Sequence, residues 1–126
     1  MTNLSHLSRI LLLEDDGMIA LDIETTLQDA GACEVTSSST VEGALRAIDG
    51  ARFDAAILDL RIGAHGWAYA VADRLRQQGV PFVFASGSGE IAVAYRDVPL
   101  VMKPFSSDQL VAALAQVTYS RPTAAA

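Results

Sequence analysis

Short apolar runs alternate along this chain with longer stretches in which apolar residues recur at helical spacing. The apolar runs predict strands over residues 9–13, 34–36, 53–58, 81–85 and 100–102, the second of them weak. The amphipathic stretches predict helices over 18–30, from about 39 onward, over about 67–78 and over 106–117. Residues 88–97 are glycine-rich at first and only weakly periodic, so we expect a short or mobile helix there.

Residues typical of helix ends support these boundaries. Ser39 with Glu42, and Ser106 with Gln109, have the three-residue spacing of a capping box at a helix N-terminus. Gly31 stands where the first helix should end, because glycine readily adopts the backbone conformation that follows a helix.

The alternation of strand and helix, repeated about five times, predicts an α/β fold. Such a pattern favours a doubly wound parallel sheet with helices on both faces. Crossovers between parallel strands are right-handed, which leaves few topologies. Ligands of these folds bind outside the carboxyl ends of the strands, so the residues at those ends are the ones to examine for function.

Length and composition narrow the possible functions. The 126 residues suit one domain, which we place at 8–119, with flexible termini at 1–7 and 120–126. A net charge of −6 disfavours binding to nucleic acid or to an anionic membrane, and no apolar run is long enough to span a bilayer. A single cysteine excludes an internal disulfide and fits a reducing cytoplasm.

Polar residues of a particular kind follow the predicted strands. Glu14, Asp15 and Asp16 follow the first, Asp59 the third, Ser86 the fourth and Lys103 the fifth. Clustered carboxylates repel one another unless a cation neutralises them, and oxygen ligands suit Mg²⁺. A carboxylate nucleophile, a metal, a lysine and a hydroxyl donor are the parts that phosphoryl transfer to aspartate needs. Each residue alone has a simpler explanation as a helix cap or a solvated loop residue.

The strings ILLLEDD, AAILDL, FVFASG and VMKPF, in this order and spacing, resemble the receiver domain of two-component response regulators. The resemblance extends from about residue 10 to residue 117. It implies a flavodoxin-like, five-stranded parallel sheet with strand order 2-1-3-4-5 and helices on both faces.

The resemblance also implies a role for each residue of the site. Asp59 would accept the phosphoryl group, with Lys103 and Ser86 contacting its oxygens. Glu14, Asp15, Asp59 and the backbone carbonyl of Arg61 would hold Mg²⁺, Asp15 directly and Glu14 through water. The peptide bond between Lys103 and Pro104 would be cis.

The implied function is that of a single-domain response regulator in a two-component system or phosphorelay. A histidine kinase or a histidine phosphotransfer protein would donate the phosphoryl group, and an unknown downstream protein would read the result. The domain would catalyse only its own phosphorylation and dephosphorylation, so it is not an enzyme for an external substrate. We expect no nucleic-acid or membrane partner, and a monomer or a weak homodimer.

The sequence departs from the usual receiver pattern in three places. Leu100 stands where receivers carry a switch aromatic, and PFVFASGSG resembles a subgroup with a Phe-Ala-Thr-Gly-type motif that also lacks this aromatic. In that subgroup the segment after the motif is mobile, so output here would depend on ordering residues 88–97. The loop after Asp59 lacks the usual proline, and its His65 either approaches the site or is simply solvated.

Three further questions stay open at this point. Trp67, Tyr69 and Tyr95 are candidates for partner contact, with packing in the core or at its rim as the alternative. The chain could also be an interaction module that is never phosphorylated, although such modules usually lose part of the acidic and lysine set. A phosphatase of the haloacid dehalogenase kind would need a second aspartate two residues after Asp59. Arg61 stands there, so the sequence disfavours this class.

Overall fold

Five parallel strands form the main sheet of the computed structural model, which describes residues 3–63 and 66–119. They are β1 (Arg9–Leu13), β2 (Glu34–Ser38), β3 (Ala55–Asp59), β6 (Phe82–Ser86) and β7 (Leu100–Met102). A second, antiparallel pair consists of β4 (Arg61–Ile62) and β5 (Gly66–Trp67). The helices are α1 (Gly17–Asp29), α2 (Val41–Gly50), α3 (Tyr69–Gln77) and α4 (Ser107–Tyr119), with a 3-10 turn at Val93–Tyr95.

The strand order confirms the predicted topology. The strands lie in the order β2-β1-β3-β6-β7, and every neighbouring pair is parallel. Counting the main sheet alone, this is the order 2-1-3-4-5. All residues of β3 and β6 are buried, because helices cover both faces of a parallel sheet.

Each face of the sheet packs against its own set of helices. Leu11 and Leu13 of β1 face a core layer that contains buried residues of α2 and α3. Ile10 and Leu12 face the opposite layer, which contains buried residues of α1 and α4. The alternation follows from the two-residue period of a strand, so an unbroken apolar run supplies both layers.

One predicted helix start is wrong by one residue and the other is confirmed. Helix α2 is capped by Thr40, whose hydroxyl oxygen accepts the N–H of Gly43 at 3.0 Å, rather than by Ser39. Strand β2 continues to Ser38, so the chain can turn into the helix only after that point. At α4 the reciprocal bonds between Ser106 and Gln109, at 2.8 and 3.1 Å, form the predicted capping box.

The prediction of a helix from about residue 67 also needs correcting. Trp67 belongs to β5 and pairs with Arg61, and the helix begins at Tyr69. Glycine at position 66 permits this hairpin, because a Cβ there would collide with the carbonyl oxygen of Ile62. A pair of two-residue strands has too few residues for a period to be visible in the sequence.

The segment between β6 and β7 contains less regular structure than any of the other crossovers of the main sheet. Within residues 87–98 only Val93–Tyr95 forms a 3-10 turn, and only Tyr95 is buried. This agrees with the expectation of a short helix. The composition accounts for it, since Gly87 and Gly89 disfavour a helix start.

The beginning of the chain differs from the flexible terminus that we expected over 1–7. Leu4 and Leu7 are buried beneath the sheet, and the N–H of Leu4 donates to the carbonyl of Ala30 at 2.7 Å. Residues 3–7 pack against the domain because the two leucines join the apolar cluster formed by α1 and α4. Residues 1–2 and 120–126 lie outside the described part. Among the described helices, none is long and apolar enough to cross a membrane.

Candidate functional site

The carboxyl ends of four strands of the main sheet bring the predicted site residues to one edge. The pairings Leu13↔Leu58 and Asp59↔Ala85 align the ends of β1, β3 and β6. Ser86 is the last residue of β6, and Lys103 follows β7 directly. Parallel strands in register end at the same side, so the sequence order of these residues becomes a cluster in space.

Lys103 joins two of the carboxylates. Its ammonium nitrogen donates to Oε1 of Glu14 at 2.8 Å and to Oδ2 of Asp59 at 3.0 Å. The side chain of Glu14 is 2% exposed and that of Asp59 is 10% exposed, whereas that of Lys103 is 22% exposed. Buried carboxylates this close need a cation, and the lysine supplies one positive charge for two negative ones.

The surroundings of this pair change the acidity of both partners. Burial raises the pKa of the Glu14 carboxyl, and the hydrogen bonds from Lys103 and from the N–H of Asp16 only partly oppose that rise. Burial on its own would lower the pKa of the Lys103 ammonium. Its hydrogen bonds to Glu14 and Asp59 outweigh that effect, so the net pKa is raised. The lysine is therefore firmly charged at neutral pH.

Asp15 completes an acidic cluster with Glu14 and Asp59. One carboxylate oxygen from each of the three lies within 4.8 Å of the others. Three oxygen donors with a net negative charge, at an edge open on the Asp15 side, match the preference of a hard divalent cation. The Oδ2 of Asp15 accepts the N–H of Gly63 at 2.9 Å, which ties the turn of the β4–β5 hairpin to the cluster.

Asp16 has a structural role beside the cluster. Its Oδ1 accepts the N–H groups of Met18 and Ile19 at 2.9 and 3.1 Å, so it caps α1. Its own N–H donates to Oε2 of Glu14 at 3.0 Å and thereby orients that carboxylate. The sequence contained the signal for this cap, since an aspartate precedes the first helical turn.

Ser86 lies beside Lys103 but does not contact the carboxylates directly. The N–H of Lys103 donates to the carbonyl of Ser86 at 2.7 Å, and Ser86 is buried. The Oγ of Ser86 accepts the N–H of Ser88 at 3.1 Å. This leaves the hydroxyl hydrogen able to donate to a group that enters the site.

The remaining predicted features have mixed outcomes. Arg61 follows Asp59 by two residues at the start of β4, and its carbonyl as a metal ligand stays a prediction. The peptide bond between Lys103 and Pro104 is cis, as expected. Leu100 is half-buried and packs against the core layer of α2 and α3. His65 lies outside the described residues.

The loop after Asp59 leads into a stack of aromatic rings that we did not predict. The Arg61 guanidinium lies 5.3 Å from the ring centre of Trp67, which stacks on Tyr69 at 5.8 Å. Tyr69 in turn stacks on Tyr95 at 5.2 Å. Packing is therefore confirmed for these three rings, although Trp67 is still 44% exposed. The rings are distant in sequence, so only the fold brings them together.

Comparison with known proteins gives an independent assignment. The family model of the response regulator receiver domain matches residues 10–115. A response regulator receiver protein from Sinorhizobium medicae WSM419 is 32% identical, with a TM-score of 0.79, over 91% of this chain and 97% of that one. SdrG from Sphingomonas melonis Fr1 is 35% identical, with a TM-score of 0.77, over 90% of this chain and 98% of that one.

A third solved structure shows a likeness of fold alone. PhyR from Brucella abortus is 24% identical, with a TM-score of 0.76, over 89% of this chain and 48% of that one. The comparison with curated proteins found no match to this chain. The family model spans most of the sequence and includes every residue of the acidic cluster, so the chain belongs to the family of response regulator receiver domains.

Proposed function

We propose that this receiver domain accepts a phosphoryl group on Asp59 from a phosphohistidine, in a reaction that depends on Mg²⁺. The observation that carries the proposal is the Lys103 ammonium held between Glu14 and Asp59, with Asp15 completing three carboxylates around one point. A structural ion pair would not need the third carboxylate. A site for a cation and a phosphoryl group needs all of these parts.

We infer a task for each side chain from its contacts. Lys103 holds Oδ2 of Asp59, which leaves Oδ1 as the nucleophile. Oδ1 forms a bond to phosphorus while the bond from phosphorus to the histidine nitrogen breaks, and that nitrogen keeps the electron pair. Lys103 then pairs with a phosphoryl oxygen, and the hydroxyl of Ser86 donates to another.

The acidic cluster is suited to hold the metal. Held by Glu14, Asp15, Asp59 and the carbonyl of Arg61, magnesium would supply positive charge to the phosphoryl oxygens as negative charge builds up on them. Asp15 would bind it through Oδ1 or through Oδ2, and in the second case Oδ2 shares or releases its bond to Gly63.

The surface beside the site supports a protein as donor. Helix α1 begins next to the acidic cluster, and its Met18 and Leu21 are 85% and 64% exposed. A cleft of about 340 Å³ also borders α1, lined by Ile19, Asp22 and Ile23 together with Lys103, Pro104 and Phe105. Apolar side chains at the edge of a charged site suit a kinase or a histidine phosphotransfer protein better than a small free donor.

The output part of the proposal concerns the segment after Ser86. PFVFASG and the leucine at position 100 support membership of the subgroup with a Phe-Ala-Thr-Gly-type motif and no switch aromatic. We infer that a downstream protein reads the ordering of residues 88–97. The domain acts on its own acyl phosphate and on no external substrate, and its cytoplasmic setting follows from the donor proteins proposed.

Labelling by acetyl phosphate, with and without Mg²⁺, tests the central claim. We expect labelled wild-type protein only with Mg²⁺, and no labelling of Asp59→Asn. Asp54→Asn is the matched control, because Asp54 lies just before the other end of β3 and its carboxylate accepts the N–H groups of Ser8 and Arg9, away from the acidic cluster. Labelling that persists in Asp59→Asn would refute the assignment of the acceptor.

The alternative is a receiver-like interaction module that is not phosphorylated. It predicts no labelling of the wild-type protein under any condition, and equal partner binding by the wild type and by Asp59→Asn. The intact set of Glu14, Asp15, Asp59 and Lys103 is the observation against it.

A further inference from the structure

Hydrogen bonds attach the segment 87–98 to the rest of the domain at three points, in addition to the packing of the buried Tyr95 ring against Tyr69 and Phe84. At its beginning, Oγ of Ser86 accepts the N–H of Ser88 at 3.1 Å, and Oγ of Ser88 accepts the N–H of Glu90 at 3.2 Å. In its middle, the N–H of Ala92 donates to the phenol oxygen of Tyr69 at 2.8 Å. The first attachment includes the hydroxyl that the proposed function assigns to the phosphoryl group.

The third attachment is at the end of the segment. Arg76 of α3 donates to the carbonyl of Ala94 at 3.0 Å and to Asp97 at 2.6 Å. Its guanidinium also lies 4.5 Å from the ring centre of Tyr95. These contacts tie the end of the segment to α3 and involve no residue of the phosphorylation site. We therefore expect a change that begins at Ser86 to be taken up mainly at or before Ala92.

Tyr69 contacts both the segment and the β4–β5 hairpin that follows Asp59. Its ring stacks on Trp67 with an interplanar angle of 10° and on Tyr95 with an angle of 20°. Trp67 lies in β5, which pairs with β4 two residues after Asp59. The turn of the same hairpin is bonded to Asp15 through the N–H of Gly63.

We propose that Tyr69 is a positioning residue that couples the phosphorylation site to the segment 87–98, in place of the aromatic that Leu100 does not supply. The inference rests on the proposed function, because it needs the site to change occupancy. When Asp15 turns from Gly63 toward a cation, the hairpin and Trp67 shift. When Ser86 turns toward a phosphoryl group, Ser88 shifts with it.

Both displacements meet at the bond between Tyr69 and Ala92. Because Tyr69 stacks on Trp67, a shift of Trp67 carries the ring of Tyr69 with it. The phenol oxygen of Tyr69 then moves relative to the N–H of Ala92. A hydrogen bond weakens steeply as its angle closes, so a displacement from either side weakens or breaks this bond. In this proposal, the arrangements with the bond made and with the bond broken are the two states that both sites bias.

The variant Tyr69→Phe isolates this bond, because it keeps the ring stack and removes only the oxygen. Tyr119→Phe is the matched control. Tyr119 also makes one hydroxyl bond to backbone, to the carbonyl of Asn3 at 3.0 Å, but at the far end of α4. Two quantities are measured with and without Mg²⁺ and beryllofluoride, which serves as a mimic of the phosphoryl group. They are the amide exchange of residues 88–97 and the fluorescence emission of Trp67, the only tryptophan in the chain.

In the wild type and in Tyr119→Phe we expect the mimic to change both the amide exchange and the Trp67 emission. In Tyr69→Phe without the mimic, the Ala92 amide should exchange about tenfold faster, since its acceptor is gone. When the mimic is added to Tyr69→Phe, the emission of Trp67 should still change. The amide exchange of residues 88–97 should change much less than it does in the wild type. Labelling by acetyl phosphate should equal that of the wild type.

Two results overturn this inference and leave the proposed function standing. The first is a full exchange response of residues 88–97 in Tyr69→Phe. The second is a wild-type protein that is labelled although the segment does not respond. Loss of labelling in Tyr69→Phe would place Tyr69 in the chemistry and also refute coupling. A wild type that is never labelled refutes both the proposed function and this inference.

Discussion

The edge of the sheet that carries Asp59 and the segment 87–98 adjoin each other, yet they are built in opposite ways. At the edge, Glu14, Asp59 and Ser86 are buried, and Lys103 ties the two carboxylates together. In the segment only Tyr95 is buried, and side chains of α3 supply most of the anchoring contacts. One region is held by strands and charge, the other by a few side-chain contacts.

The difference fits the two tasks that we propose. Transfer to Asp59 needs atoms that stay in place, and strand ends provide such positions. A signal needs a region whose alternative arrangements differ little in free energy, which means few buried contacts and exposed backbone. The following predictions test this contrast, beginning with the largest expected effect.

Replacing Lys103 tests whether charge holds the edge together. Lys103→Met leaves Glu14 and Asp59 buried without their cation, so we expect a loss of about 3–5 kcal/mol of unfolding free energy in the presence of a chelator. Urea unfolding measures it. Arg9→Met is the control, because its ion pair with Glu34 is exposed and should contribute less than about 1 kcal/mol. Equal small losses would contradict the description of the edge.

Replacing Tyr95 tests whether a single ring anchors the segment. Tyr95→Ala removes a buried ring that contacts Tyr69 and Phe84, and it should cost about 3 kcal/mol of unfolding free energy. Amide exchange of residues 87–98 should accelerate by more than the loss of unfolding free energy accounts for. Amide exchange of β3 should accelerate only as far as that loss requires. Val93→Ala is the control, since Val93 is 73% exposed and the change should stay within about 0.5 kcal/mol. Similar values for the two variants would show that Tyr95 is no anchor.

Acidification should weaken Mg²⁺ binding at the edge earlier than an ordinary glutamate would. The pKa of Glu14 is raised above its usual 4.5, so the folded protein holds this proton more tightly and the cation must displace it. We expect about a tenfold weaker affinity per pH unit below the raised pKa, measured by calorimetric titration. Gln does not bind this proton, so the Mg²⁺ affinity of Glu14→Gln should not depend on pH above pH 4.5. An affinity that is flat down to pH 4.5 would contradict the pKa shift.

The smallest expected effect concerns Gly89 of the segment, compared with Gly63 in the β4–β5 turn. At Gly89 a Cβ would meet nothing within 4 Å and the backbone is not left-handed, so Gly89→Ala should stabilise the fold by about 0.5 kcal/mol. Gly63→Ala is the contrast, because its φ of +69° should make the same change cost about 1 kcal/mol. Thermal unfolding compares the two. Destabilisation by Gly89→Ala would mean that the segment is more constrained than its contacts indicate.

The strands and the acidic edge could be predicted from the sequence because both depend on short-range patterns and a general rule. Buried parallel strands appear as apolar runs, and the residues that follow them must gather at one edge. Glu14, Asp15, Asp59 and Lys103 were found in this way, and the structure brings them together. Their roles in phosphoryl transfer stay predictions.

The sequence by itself determined the strands of the main sheet, the capping box at Ser106 and the residues of the site, whereas the strand order came from the resemblance to receiver domains. Only the tertiary structure decided that Leu4 and Leu7 pack beneath the sheet, that Trp67 joins a hairpin, and that its ring stacks through Tyr69 on Tyr95. Local patterns fix which face of an element is apolar. They do not fix which distant ring fills a given space, because that depends on packing among residues far apart in the chain.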